Sequence, residues 1–158
     1  EVERLAGRPV LSLVGCAVDE VQNRKWRRVG VIGMGYPKVY VDRLEKAGIA
    51  YETIEPATQS KLNRVFLTFM EGRLDPEGHR LAADAVAELQ GRGVDGVILG
   101  CTELPLILPE LEGKPGLLNP AQVLAERAIR RASATKPTEA TESTKSTELG
   151  AVPAIGVR

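Results

Sequence analysis

Short apolar runs alternate along the chain with longer stretches whose apolar residues recur every three or four positions. Val10-Leu11-Ser12-Leu13-Val14 reads as a first strand and Ala17 to Lys25 as a helix. Arg28 to Gly33 (RVGVIG) is almost continuously apolar and ends in glycine, the pattern of a strand buried on both faces. Helical spacing returns from Pro37 to Ala47, where Val41, Leu44 and Ala47 share a face and Gly48 supplies the stop. Tyr51 to Ile54 is a weaker strand, and Thr58 to Gly72 sets Leu62, Val65, Phe66 and Phe69 at helical spacing. Asp75-Pro76-Glu77 has the N-cap and first-turn proline that open a helix, which runs to about Gln90 and closes at Gly91 or Gly93. Val94 to Leu99 (VDGVIL) is a strong strand, and Leu117-Leu118 a short one before a last helix from Pro120 to Arg131. This repeated alternation predicts the α/β class: a parallel sheet of four to five strands flanked by helices, a three-layer sandwich.

Two features divide the chain. From Ser133 to Arg158 it turns to Thr, Ser, Glu, Lys and Pro, with almost no bulky apolar residue before Val152. Such a stretch buries too little surface to offset its ordering entropy, so 133–158 is expected to be a disordered tail. Gly7-Arg8-Pro9-Val10-Leu11 also has an echo in Gly113-Lys114-Pro115-Gly116-Leu117-Leu118, about 105 residues later, each leading into a helix. The echo predicts that residues 1–27 are the end of one lobe, largely missing here, and that 28–132 form a complete second lobe. The first residue is Glu1, which fits a segment of a longer chain.

Composition narrows the chemistry. Lys+Arg and Asp+Glu both number 21, so the neutral chain lacks the positive surface that nucleic acid or an acidic membrane would select. No apolar run reaches the ~18 residues of a membrane span, and no signal peptide opens the chain. Cys16 and Cys101 are the two cysteines, too few for a disulfide framework or a four-thiolate zinc site, and His79 is the one histidine. No metal site is expected. Free thiols suit a reducing cytoplasm. Gly33-Met34-Gly35 follows a strand but lacks the third glycine and the acidic residue of a dinucleotide loop. His79 and the basic cluster around Trp26 read as solvated surface.

The informative segment is Gly96-Val97-Ile98-Leu99-Gly100-Cys101-Thr102-Glu103-Leu104-Pro105-Leu106. Cys101 follows a buried strand and a glycine, which places it at the carboxyl edge of the sheet, where α/β proteins bind ligands. Pro105 suits the first turn of a helix, whose N–H groups and dipole would stabilise a thiolate and lower the thiol pKa. Gly100 allows a ligand close approach to the backbone. Thr102 adds a hydroxyl and an N–H fit for a carboxylate. Glu103 could receive an ammonium group, although its charge would oppose thiolate formation.

The string GVILGCTELPLIL closely resembles the second-cysteine motif of the aspartate/glutamate racemase family, in particular its aspartate racemase branch. In the glutamate racemase branch the Glu103 position is typically histidine. The resemblance extends over roughly residues 8–132 and is most specific at 94–108. It implies one lobe of a two-lobe, pseudo-symmetric fold and a cofactor-independent amino-acid racemase, in which one cysteine thiolate removes the α-proton and a thiol on the opposite face returns one. Cys101 would be one of the two catalytic thiols, with Gly100, Thr102 and Glu103 binding the substrate. The partner implied is a small amino acid, with dimers suggested by the family and no role for nucleic acid or membrane. The chain departs from the family in two places. The Cys-Asn-Thr-like motif of the first lobe is not found; Cys16 stands where the family commonly has an acidic residue and reads as an ordinary small core or near-site residue. Gly33-Met34-Gly35-Tyr36-Pro37 replaces a Gly-Thr loop, removing hydroxyls near the substrate, so the segment by itself is an incomplete catalytic unit. Two alternatives stay open: a related thiol-dependent isomerase, hydantoin racemase or decarboxylase on the same scaffold, and a non-catalytic lobe that binds a small acid.

Overall fold

The computed structural model describes residues 2–134. Four strands form one parallel sheet: β1 (Arg28–Ile32), β2 (Ala50–Thr53), β3 (Gly96–Leu99) and β4 (Leu117–Leu118), in the spatial order β2-β1-β3-β4. Strand and helix alternate as predicted. The helices are α1 (Val2–Ala6), α2 (Leu13–Asn23), α3 (Lys38–Lys46), α4 (Pro56–Met70), α5 (Pro76–Gly91), α6 (Leu104–Ile107) and α7 (Pro120–Ala134).

Successive side chains of a strand point to opposite faces, and the core divides accordingly. Ile32, Val97, Leu99 and Leu117 face one layer with Leu62, Val65 and Phe66 of α4, Ala82, Ala85, Val86 and Leu89 of α5, and Leu104 and Ile107 of α6. Val29, Val31, Ile98 and Leu118 face the other, with Cys16, Val18 and Val21 of α2, Tyr40 and Leu44 of α3, and Val123 of α7. Burial on both faces is why β1 and β3 read as continuous apolar runs rather than alternating ones.

Glycines in the strands mark close packing. A Cβ on Gly30 would meet the Leu89 side chain of α5 at 3.0 Å, and one on Gly96 would meet the Trp26 ring at 2.3 Å. Trp26 thus lies flat over β3 with the Arg24 guanidinium 5.1 Å from its ring centroid, a packing role in place of the solvated helix end predicted.

The strand predicted over Val10–Val14 is instead a helix start. Ser12 caps α2, its hydroxyl accepting from the Gly15 N–H at 3.1 Å, and Leu13 and Val14 occupy the first turn. A five-residue apolar run does not distinguish strand from helix, and the cap decides here. The tail expectation lies outside the described residues, except that Ser133 and Ala134 continue α7.

Candidate functional site

The strand order reverses direction between β1 and β3: from β1 the chain moves outward to β2, then returns to place β3 on the other side. The loops leaving these two neighbours lie side by side at the carboxyl edge, the switch point where open α/β sheets hold ligands. The loop after β1 is Gly33 to Pro37 and the loop after β3 is Gly100 to Glu103.

The two loops leave their strands in contact. Gly100 N–H donates to Ile32 O at 2.7 Å. A Cβ on Gly100 would stand 3.0 Å from Ile32 O and 3.0 Å from the Tyr40 ring, and one on Gly33 would stand 3.3 Å from Gly100 O. The absence of side chains at both positions lets the loops cross.

Cys101 follows as predicted, half-buried at the strand end. Its thiol donates to Glu103 Oε2 at 2.7 Å, and the Thr102 hydroxyl donates to the same oxygen at 3.0 Å. Main-chain N–H groups of Glu103 and Met34 are directed at the sulfur. Burial pushes the Cys101 thiol up, the Glu103 carboxylate pushes it further, and the two N–H groups offset only part of this; the pKa rises to about 11. The lowered pKa expected from a helix terminus is therefore corrected: α6 is a single turn, and a carboxylate stands between it and the sulfur. Glu103 shows the reciprocal effect, its carboxyl held below the usual range by the hydrogen bond from Cys101.

Gly100, Cys101, Thr102 and Glu103 are thus brought together, while Cys16 is not part of the group. It is buried in α2 among the core residues of the opposite sheet face. His79 pairs with Glu110, 3.0 Å from Nε2 to Oε1, in a half-exposed position. Two residues not singled out in the sequence, Gln59 and Asn63 of α4, hold the β1 loop. Gln59 Nε2 donates to Gly33 O at 2.9 Å and to Asn63 Oδ1 at 2.7 Å, and Asn63 Oδ1 accepts from Gly35 N–H at 2.9 Å. The available signal was two amide side chains one helical turn apart beside an apolar stripe.

A cavity of about 490 Å³ lies along the loop and β2, lined by residues that include Tyr36, Ile54, Pro56, Gln59 and Arg92. Another of about 270 Å³ lies beyond β3, between Leu99, Pro105, Leu108 and Val123. Cys101 lines neither; the exposed residues Thr102 and Met34 flank it. Among the described residues no group of three His, Cys, Asp or Glu side chains is placed to hold a metal ion. No helix among them is long and apolar enough to cross a membrane.

This is a parallel α/β lobe with a thiol–carboxylate pair at its switch point. The model of the Asp/Glu/hydantoin racemase family matches residues 1–128, and the chain belongs to that family. A glutamate racemase from Synechococcus sp. (strain CC9605) is 33% identical over 110 residues, covering 67% of this chain and 39% of that protein. The crystal structure of a Yersinia pestis protein assigned as an Asp/Glu racemase superimposes with a TM-score of 0.74 at 23% identity, over 84% of this chain and 60% of that one, a likeness of fold. An aspartate racemase homologue from Pyrococcus horikoshii OT3 gives a TM-score of 0.65 at 25% identity, over 80% and 57%. The chain therefore spans less than two thirds of each of these relatives.

Proposed function

We propose that this chain forms one catalytic lobe of a cofactor-independent amino-acid racemase of the aspartate/glutamate type, with Cys101 as one of two proton-transfer thiols. Residues 1–27 close a first lobe and 28–132 form the second. The observation that carries the reading is the Cys101 thiol, half-buried at the switch point and hydrogen-bonded to Glu103.

Inversion at an α-carbon needs a base on one face and an acid on the other. A thiolate on the far face takes the α-proton, and the electron pair of the C–H bond moves into the carboxylate as an enolate. Cys101, held as a thiol by burial and by Glu103, delivers its proton to the near face, and the C–H bond forms as the S–H bond breaks. Gly100, Thr102 and Glu103 line the approach, Thr102 and the nearby N–H groups meeting the substrate carboxylate and Glu103 its ammonium group. The far-face group is not Cys16, which lies on the other side of the sheet. It comes from a first lobe, in the same polypeptide or a second copy.

Deuterium oxide tests this directly. L-Aspartate and L-glutamate are incubated with the chain, and the α-position is followed by proton NMR and chiral chromatography. Deuterium entering with inversion marks a two-thiol site, and deuterium entering with retention marks a lobe with one working thiol. No incorporation above that of Cys101→Ala would reject the reading.

A second reading, a hydantoin racemase or related thiol-dependent isomerase, is favoured by Met34, which is 46% exposed, follows Gly33 in the loop against the thiol and suits an apolar substituent. 5-Substituted hydantoins in the same assay, judged against Cys101→Ala, separate the two.

A further inference from the structure

The β1 loop lies against the thiol, yet between Gly33 and Pro37 it carries no charged group, and its one hydroxyl, that of Tyr36, is engaged with Tyr51. Its backbone has to supply what its side chains do not, and a backbone N–H acts only if its peptide is held in one orientation. Glycines at 33 and 35 leave that orientation undetermined by the loop alone; Gly35 has φ +66°.

The orientation is determined from α4. Gln59 and Asn63 are one turn apart and face the loop together. Gln59 fixes the carbonyl before Met34, and Asn63 accepts from the N–H after it. Their mutual hydrogen bond holds both amides in register. The peptide whose carbonyl Gln59 holds carries the Met34 N–H at its other edge, directed at the Cys101 sulfur, and Asn63 holds the next peptide along.

The start of α4 is itself pinned. Glu88 of α5 accepts from Glu55 N–H at 2.8 Å and from the Thr58 hydroxyl at 2.7 Å. Arg92 bridges Glu55 and Glu88 at 2.8 and 2.7 Å. Gln59 is the next residue along, so its amide is presented from a fixed turn.

We infer that Gln59 and Asn63 are positioning residues for the site, an amide clamp that aims the Met34 N–H at the Cys101 sulfur and so stabilises the thiolate whenever it forms. The clamp acts through the loop and touches neither the sulfur nor the substrate. Tyr40 from α3 faces Cys101, its own ionisation raised by burial and by the sulfur, while burial and Glu103 on the sulfur's own loop disfavour the thiolate. Loss of the N–H removes one of the groups opposing them.

The inference builds on the assignment of Cys101 as the reactive thiol, but its test needs no turnover. The full chain is alkylated with iodoacetamide from pH 8 to 11.5, and Cys101 is followed separately from Cys16 by peptide mass spectrometry. The plateau rate reports access to the sulfur and the midpoint reports its ionisation. Asn63→Leu and Gln59→Leu are each expected to raise the Cys101 midpoint, by an amount equal to a roughly fivefold loss of thiolate at a fixed pH, the scale of one lost hydrogen bond. Val65→Ala, which only opens space under α4, should lower the melting temperature and leave the midpoint in place. Gln59→Glu supplies a milder variant that removes the donor to Gly33 O. Folded Asn63, Gln59→Leu or Gln59→Glu variants whose Cys101 midpoint matches that of the native chain, or falls below it, would overturn the clamp. That result leaves the deuterium assay unaffected, so the two proposals fail separately.

Discussion

Cys101 and Glu103 share a proton-bearing contact, the thiol donating to Oε2 at 2.7 Å across a two-residue step. The charge of the acceptor helps to keep the donor protonated. Replacing Glu103 by Gln retains an acceptor and removes the charge. Because burial is the larger cause of the shift, Cys101 should titrate below about 11 in Glu103→Gln but remain above the ordinary thiol value. The pH profile of Cys101 alkylation reads this, and a midpoint equal to the native one would contradict it.

The same thiol makes stability depend on pH in a definite window. Its pKa in the folded chain is about 11, above the ordinary 9 of an exposed cysteine, so the fold favours the protonated form. That contribution is fully present below pH 9 and is lost as pH rises from 9 towards 11. Urea midpoints taken between pH 8 and pH 11 should fall more steeply for the native chain than for Cys101→Ser.

Gly100→Ala should damage both fold and site. The new methyl group would press on Ile32 O, a backbone atom that cannot rotate away, and on the buried Tyr40 ring. A loss of about 1–3 kcal/mol is expected, the usual cost of overpacking. Chemical denaturation measures it.

Gly96 and Gly91 make a contrasting pair. Alanine at Gly96 would lie 2.3 Å from the Trp26 ring, so the indole has to leave β3, and tryptophan fluorescence should shift to the red with a large loss of stability. Gly91 ends α5 with open space around it, and Gly91→Ala should be neutral or stabilise by about 0.5–1 kcal/mol through the unfolded chain.

Asp75 caps α5, its Oδ1 accepting from Gly78 N–H at 2.6 Å. Asp75→Ala should cost about 1 kcal/mol in thermal or urea unfolding. Ser12→Ala, at the cap of α2, should cost a similar amount.

These caps also show what the sequence disclosed. Asp75-Pro76 announced α5, and the apolar runs at Arg28–Ile32 and Gly96–Leu99 announced the two central strands, because a doubly buried strand has almost no other pattern. Val10–Val14 misled because Ser12 lies inside an apolar run, where its capping role is invisible until Gly15 N–H is seen to reach it. Cys101 was legible from its neighbours along the chain. Its ionisation was only partly so: the opposing charge of Glu103 was readable, whereas the dominance of burial depended on packing from other elements. Gln59 and Asn63 were legible only as two amides one helical turn apart, since their partners Gly33 and Gly35 are more than twenty residues away and are engaged through backbone atoms that carry no sequence signature.

Gly33 and Gly100 leave adjacent strands shoulder to shoulder: a methyl group on Gly33 would press on Gly100 O, and one on Gly100 would press on Ile32 O, the carbonyl just before Gly33. Neither position can drift alone in evolution without disturbing the other, so diversification within this scaffold is channelled into the residues just beyond. An engineer wishing to retarget the pocket would conserve that crossing and randomise Met34, Tyr36 and Thr102, whose exposed side chains alter the rim while the sheet edge beneath keeps its shape.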